Sequence, residues 1–323
     1  MEEIANYKFH PNDLRLDQRK PGVSGLLRTR NGGAFLEACV RSHIDALDEL
    51  VIIFNQCTDD TAQIVAKLEA EFPSKIKAFH YLPRVQPLGS EGHAQSNFDD
   101  LDNLANYSNA GLVQTSRQYM MKVDDDHLAI PGVLAGLAER ARLGELNDRT
   151  LYALSGLNIA RAGGALGIPA QVPVSGLGDY GLQKLGPQSY FTADHRFERF
   201  RPPGQRRVFA GFQYWHLKFL KPDAFANYEL SDNPDSRYHA QKQRAETTSL
   251  LSLPAWLGSL STGPSAQLKA LVYDKHRIAL DRARQAKQLF AGLALEQALG
   301  QMGASELAGL EADARKRFQE TSS

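Results

Sequence analysis

Three consecutive carboxylates, Asp124, Asp125 and Asp126, followed by His127, close the stretch YMMKVDDDHL. Side by side, such groups repel one another unless solvent, a cation or a basic partner compensates them. The apolar run before them, Tyr119 to Val123, reads as a buried strand, so the cluster falls where a strand leaves its sheet. In an extended or turning segment Asp124 and Asp126 point the same way and Asp125 points elsewhere. Two converging carboxylates suit a hard divalent cation, Mn²⁺ or Mg²⁺, which keeps waters and takes substrate phosphates as its remaining ligands. The structural alternative is a solvated acidic turn that caps the next helix.

The elements that must position this cluster alternate in type. Val23 to Thr29 is strand-like, Asn31-Gly32-Gly33 punctuates it, and Phe35, Leu36, Cys39 and Val40 then recur at helical spacing. Leu50 to Phe54 form a continuous apolar run, as in a strand covered on both faces. Thr58 is expected to cap a helix with Asp59 and Asp60 in its first turn and Ile64, Val65, Leu68 and Phe72 as its apolar stripe. KIKAFHYL supplies a third strand, YMMKV a fourth and TLYALSGLNIA a fifth. A helix through Phe98, Leu101 and Leu104 precedes the fourth, and Pro131 opens a helix after it. Strands alternating with helices of this length imply an α/β fold with a mostly parallel central sheet.

Outside this series the character changes. Residues 1–20 are polar and charged and read as an arm; 163–207 is rich in Gly, Pro and Arg and reads as ordered loops over a site. From about residue 265 the chain is rich in Ala, Leu, Arg and Gln at helical spacing, a helical C-terminal appendage.

With 323 residues, about two domains are expected at ~150 residues each. Lys plus Arg and Asp plus Glu both total 37, so no global charge draws the chain to nucleic acid, and any recognition of phosphates must be local. Two cysteines, Cys39 and Cys57, cannot build a disulfide framework or a cysteine zinc site, and read as small buried hydrophobes in a reducing compartment. No apolar run of the ~20 residues needed to span a bilayer is present, so a cytoplasmic chain is expected, at most peripheral to the inner face of the membrane.

The segments VSGLLRTRNGGAFLEACVRSH, DELVIIFNQCTDDTAQIVAKL and YMMKVDDDH, in that order and spacing, resemble the nucleotide-binding half of GT-A glycosyltransferases, especially family 2. The resemblance covers roughly residues 22–130. It implies a GT-A fold in 21–230, with a nucleotide-binding half at about 21–130 and an acceptor half at about 131–230, followed by a helical region 231–323. It further implies that Thr29 and Arg30 lie at the nucleoside pocket and that Asn55 sits where an aspartate normally contacts the base. Asp124, with Asp125, meets the nucleotide, while Asp124 and Asp126 form the D-x-D pair that holds the metal. Here Arg28-Thr29-Arg30-Asn31 replaces the family's Pro-Thr-Tyr-Asn, and Phe54-Asn55-Gln56 replaces its Asp-Asp-Gly.

The same resemblance implies a carboxylate after the fifth strand that takes the acceptor's proton, and a late histidine that returns to the metal. Asp179 in GLGDYG is the first candidate base, because flanking glycines admit an acceptor, and a turn-stabilising role is its alternative. Asp194 is the second, with Glu198 beside it; either can instead pair with Arg196, Arg199 or Arg201. His216 is the candidate metal histidine, with Tyr214 and Trp215 as an apolar wall for a sugar, and a packed core histidine is its alternative. His127 is expected to point into the next turn. Arg206, Arg207, Lys218 and Lys221 are cations available to a diphosphate or an anionic acceptor.

The implied function is metal-dependent transfer of a sugar from a nucleotide sugar, a UDP-sugar first among them, to a glycan or lipid-linked glycan in bacterial surface polysaccharide synthesis. The competing readings are a sugar-phosphate nucleotidyltransferase, for which RTRNGGAF is a poor phosphate loop, and a catalytically silent scaffold. The C-terminal helices are assigned to homo-oligomer formation or to docking against the catalytic domain.

Overall fold

The computed structural model describes residues 1–177, 180–193, 198–200, 202, 204–222, 239–240, 243–244 and 247–321. Strand β1 spans Glu2–Ile4, β2 Lys20–Thr29, β3 Glu49–Asn55, β4 Ile76–Tyr81 and β5 Arg117–Val123. They lie side by side in the order β1-β4-β3-β2-β5, every pairing parallel, which requires the helices between them to cross over the sheet faces. Those helices are α1 Leu36–Ile44, α2 Thr61–Glu71, the short α3 Glu91–Gln95 and α4 Leu104–Leu112.

Alternation along the strands explains how both faces are covered. On β3, Leu50, Ile52 and Phe54 join the core under α1 and α2, while Val51 and Ile53 join the core under α4; on β2, Leu27 and Leu26 divide the same way. Gly111 in α4 lets that helix sit close, since a Cβ there would come within 2.8 Å of Ile53 and 2.9 Å of Leu26.

Beyond β5 the sheet departs from the simple parallel series. Strand β6 spans His127–Ala129, α5 Val133–Arg142, β7 Thr150–Ala162, β8 Ala165–Pro169, β9 Val174–Ser175, β10 Gly181–Lys184, β11 Thr192–Ala193, β12 Glu198–Arg199 and β13 Arg206–Phe219. Strand β10 inserts antiparallel between β5 and β7; β13 then runs parallel to β7 and carries β6 antiparallel on its far side. The architecture is therefore α/β, a mostly parallel central sheet flanked by helices, as expected. The region read as loops, 163–207, instead supplies β8 to β12, because strands of two to five residues carry too few alternations to register as a pattern.

Four local expectations are corrected. Residues 1–20 are not a detached arm: β1 adds to the sheet edge and Leu14 is buried. Thr58 does not cap α2; Asp59 Oδ1 accepts the Thr61 amide at 3.0 Å, and Asp59 Oδ2 accepts that of Gly33 at 3.0 Å. Pro131 precedes α5 by two residues, and the helix along Phe98 and Leu101 begins only at Leu104, capped by Asn103, whose side chain accepts the Ala105 amide at 2.8 Å.

Strand β14, Leu250–Leu251, pairs with β8 and leads into α6 Leu253–Ser259, α7 Pro264–Val272, α8 Asp274–Leu289, α9 Leu295–Gln301 and α10 Leu307–Thr321. The helical C-terminal region is present as expected, and it packs on the sheet. Trp256, Phe290, Leu295 and Leu299 share one core with Phe212, Trp215 and Leu217 of β13. Trp215 Nε1 donates to the Met302 carbonyl at 2.9 Å, and Arg161 is paired with buried Glu311 of α10. Among the described residues no helix is long and apolar enough to cross a membrane.

Candidate functional site

The register of three strands builds the site. On β6-β13-β7, His127 lies opposite His216, and His216 lies beside Asn158. Asp126, at the turn between β5 and β6, accepts the Leu217 amide through its carbonyl at 2.9 Å, so its side chain is held next to this row. His216 Nδ1 meets Asn158 Oδ1 at 2.6 Å; that oxygen only accepts, so Nδ1 carries a proton and Nε2 is the nitrogen turned toward Asp126. Nε2 faces Asp126 Oδ1 at 3.3 Å, and His127 Nε2 stands 4.0 Å from the same oxygen. One ligand atom from each of Asp126, His127 and His216 lies within 4.8 Å of the others.

Small residues clear space for this geometry. A Cβ at Gly156 would come within 2.1 Å of the Tyr214 ring, so glycine there lets the tyrosine lie flat over the strand and stack on His127, centroids 3.6 Å apart and planes 15° from parallel. A Cβ at Gly32 would collide with both Thr29 Oγ1 and Asp125 Oδ2, at 2.2 and 2.3 Å. The Asn31 turn ahead of it adopts φ 54°, a left-handed conformation that asparagine tolerates.

Each aspartate has a different environment. Asp124 is the most open of the three, 38% exposed, with Lys122 Nζ at 3.2 Å and His127 Nε2 at 3.5 Å. Burial works to raise its pKa, but Lys122 and His127 outweigh it and hold the group below the usual carboxylate range. Asp125 turns the other way, accepting from Thr29 Oγ1 and pairing with Lys221 Nζ at 2.5 Å. Burial and the neighbouring Asp126 charge push its pKa up, against the pull of Lys221. Asp126 Oδ2 shares Lys221 at 3.1 Å; burial opposes ionisation there too, yet Lys221 and His216 hold it well below its ordinary value. Burial drives the His127 pKa down to about 3, keeping that ring neutral and able to ligate.

The donor set fits a divalent cation. Asp126 Oδ1 is buried and makes no well-formed hydrogen bond, although two imidazole nitrogens converge on it. A buried carboxylate oxygen left this way costs free energy unless a cation completes it. One carboxylate and two imidazoles, with one imidazole fixed by an amide behind it, are ligands that Mn²⁺ accepts.

Of the expected metal ligands, Asp126 and His216 are brought together, and Asp124 lies one contact further out. His127 does not point into the next turn; its Nε2 gathers with Asp126 and His216, with Asp124 Oδ2 3.5 Å from it. The signal for it was faint, because His127 meets His216 only through antiparallel β6, a three-residue strand. Thr29 lies at the site through its bond to Asp125, and Arg30 follows at the strand end. Asn55 is committed elsewhere: its amide donates to Tyr81 O at 2.7 Å and Pro83 O at 2.6 Å, and its oxygen accepts from the Val85 amide at 3.0 Å. These bonds pin the loop after β4 and use the side chain that was expected to face a base.

Asp179 and Asp194 lie outside the described residues, as do Arg196 and Arg201. Tyr180, next to Asp179, is placed with its hydroxyl 3.3 Å from His127 Nδ1. Glu198 forms a two-pronged ion pair with the mostly buried Arg28, Nη2 to Oε2 at 2.9 Å, and accepts from Ser108 Oγ at 2.8 Å. The Arg28 guanidinium also lies 4.9 Å from the Phe191 ring centroid. Tyr214 lines the site by stacking on His127, while Trp215 turns to the opposite side and joins the helical core. Cys39 and Cys57 are free thiols, Cys39 buried and Cys57 partly so.

No family model matches this chain, and no curated protein does. Among solved structures, glucosyl-3-phosphoglycerate synthase from Mycobacterium tuberculosis in complex with Mn²⁺ and UDP-glucose is 16% identical, over 50% of this chain and 52% of that one, with a TM-score of 0.26. The same enzyme with Mg²⁺ and UDP is 16% identical over 50% and 51%, with a TM-score of 0.26. Its complex with Mn²⁺, UDP and glucosyl-3-phosphoglycerate is 14% identical over 50% and 53%, at 0.27. The chain spans about half the length of these structures. What the site can do is set by this chain's own side chains.

Proposed function

We propose that this protein is a metal-dependent glycosyltransferase that moves a sugar from a nucleotide sugar, a UDP-sugar, to a glycan or lipid-linked acceptor of surface polysaccharide synthesis. The convergence of Asp126, His127 and His216 at the carboxyl end of β5, with an unsatisfied carboxylate oxygen between them, carries this reading. Ligands of α/β sheets bind at such strand ends. In this proposal residues 21–230 form the catalytic unit, and the divisions at about 130 and 230 separate donor side, acceptor side and helical region.

Asp126, His127 and His216 would hold the divalent ion, with Asp124 beside them toward solvent. When bound, the ion neutralises charge that develops on a leaving diphosphate. Lys221, buried between Asp125 and Asp126, and Lys122, beside Asp124, place two further ammonium groups within reach of the same anion. In the transfer, an acceptor oxygen bonds to the anomeric carbon and the bond to the diphosphate breaks, the electron pair leaving with the diphosphate. The acceptor's proton goes to a carboxylate, for which we assign Asp179, next to Tyr180 at the His127 ring, with Asp194 as second choice. Asn158 and Tyr214 orient the two imidazoles, and Thr29 fixes the rotamer of Asp125.

A thermal-shift panel of UDP-, GDP-, CMP- and dTDP-sugars with and without Mn²⁺ tests the reading. Stabilisation by a UDP-sugar only with Mn²⁺, and release of free UDP on adding an acceptor, is the expected result. Stabilisation by nucleoside triphosphates alone points to nucleotidyl transfer, and no response to any of them defeats the enzymatic reading.

A further inference from the structure

A second cleft, of 620 Å³, opens between β9 and the C-terminal helices α6, α7 and α8. Its apolar wall includes Val174, Trp256, Leu260 and Leu280. Its charged groups among the described residues are Arg244, Lys269 and Arg282, beside His276, with no carboxylate. Arg282 is the telling residue: its Nη1 is buried and has no hydrogen-bond partner, and no carboxylate lies within ion-pair distance of it among the described residues. A half-buried guanidinium lining the cleft, with no carboxylate beside it, leaves positive charge for an incoming anion. Burial pushes its pKa down and only the Tyr214 phenol, acting at a distance, opposes the shift.

Helix α7, on one side of the cleft, carries exposed apolar side chains. Helix α7 contributes Ala266 and Lys269 to the lining and buries none of its own residues; Leu268, Leu271 and Val272 on it are 67%, 83% and 68% exposed. The cationic lining and the exposed apolar residues of α7 beside it together match a ligand with a phosphate head and a hydrocarbon tail. The cleft also adjoins the metal site: Val174 in its wall precedes Ser175, whose Oγ is 2.8 Å from the hydroxyl of Tyr214, the ring stacked on His127.

We infer that this cleft binds the phosphate head of an amphiphile, with Arg282 as the main anion contact and the tail leaving over α7. The inference rests on the transferase reading only in assigning that amphiphile as the acceptor.

The test is calorimetric titration of the metal-free 323-residue protein, in chelator, with hexyl phosphate, glycerol phosphate and inorganic phosphate. Hexyl phosphate is expected to bind at least tenfold more tightly than the other two, and Arg282→Met to weaken it by roughly tenfold or more, the worth of one charge-assisted hydrogen bond. Arg284→Gln, exposed on the same helix, is expected to leave binding unchanged. Since Arg282→Met removes a half-buried charge that has no carboxylate partner among the described residues, its melting temperature without ligand is expected to equal or exceed that of the parent, which separates lost binding from lost folding. Absence of hexyl phosphate binding, equal affinity for inorganic phosphate, or undiminished binding by Arg282→Met overturns the inference. Mn²⁺-dependent UDP binding is measured in parallel. If it persists while hexyl phosphate fails, the cleft assignment alone falls; if it is absent while hexyl phosphate binds through Arg282, the transferase reading falls and the cleft stands.

Discussion

Asn158 and His216 face each other across the β7–β13 pair, and their 2.6 Å hydrogen bond decides which imidazole nitrogen is offered to Asp126. Asn158→Leu is expected to weaken Mn²⁺ binding by roughly 10- to 100-fold, as loss of an orienting group behind a ligand does. Asn158→Asp, which still accepts from Nδ1, is expected to keep most of it. Isothermal titration with Mn²⁺ reads both.

Asp126→Asn is expected to remove Mn²⁺-dependent UDP binding while the protein still folds, because Asp125 remains paired with Lys221 at 2.5 Å. Titration with Mn²⁺ and UDP, paired with a thermal melt, checks this. Normal binding by the variant would show that the carboxylate is not a ligand.

Glu198 anchors Arg28 rather than taking a proton. Glu198→Ala leaves a buried guanidinium without its partner and is expected to cost about 3 kcal/mol of stability, since breaking such a pair strands the remaining charge. Urea denaturation at neutral pH measures the loss.

His43 makes stability depend on pH. It is fully buried, with Nδ1 2.8 Å from the Cys39 carbonyl and Nε2 3.0 Å from Gln213 Nε2, and burial drives its pKa down to about 4. The unfolded chain takes up this proton near pH 6.5, the native one only near pH 4, so acid favours unfolding across that window. The stabilisation is complete above about pH 6.5 and is lost as pH falls toward 4. Relative to the parent, His43→Gln is expected to gain about 3 kcal/mol between pH 7 and pH 4, measured by urea unfolding at each pH.

The C-terminal helices and the sheet share one core, so they are expected to unfold together. Phe290→Ala, which empties a site between Phe212, Trp215 and Trp256, is expected to cost about 3 to 5 kcal/mol and to lower a single common transition. Trp fluorescence and far-ultraviolet circular dichroism that separate into two transitions would contradict this.

Continuous apolar runs such as Leu50–Phe54 and Tyr119–Val123 were legible as strands, because covering both faces demands apolar side chains at every position. The carboxylates at the end of β5 were legible for the same reason: the polar cluster begins where the apolar run stops. Strands β6 and β10 were not legible, since each is short and owes its place to partners far along the chain. Asn55 and Glu198 look like site residues in a linear reading; hydrogen bonds to Pro83 and Arg28 commit them to structure.

Local chemistry, which needs only neighbouring residues, thus determined the alternation of strands and helices, the helical C-terminal region and the Asp124–Asp126 cluster at a strand end. The gathering of His127 with Asp126 and His216, the pairing of Arg28 with Glu198, and the position of Arg282 with no carboxylate beside it among the described residues were decided by tertiary structure alone. Each depends on strand register or helix docking between segments tens to more than a hundred residues apart. Burial there settles which charges are shared and which are left open, and no spacing along the chain records that.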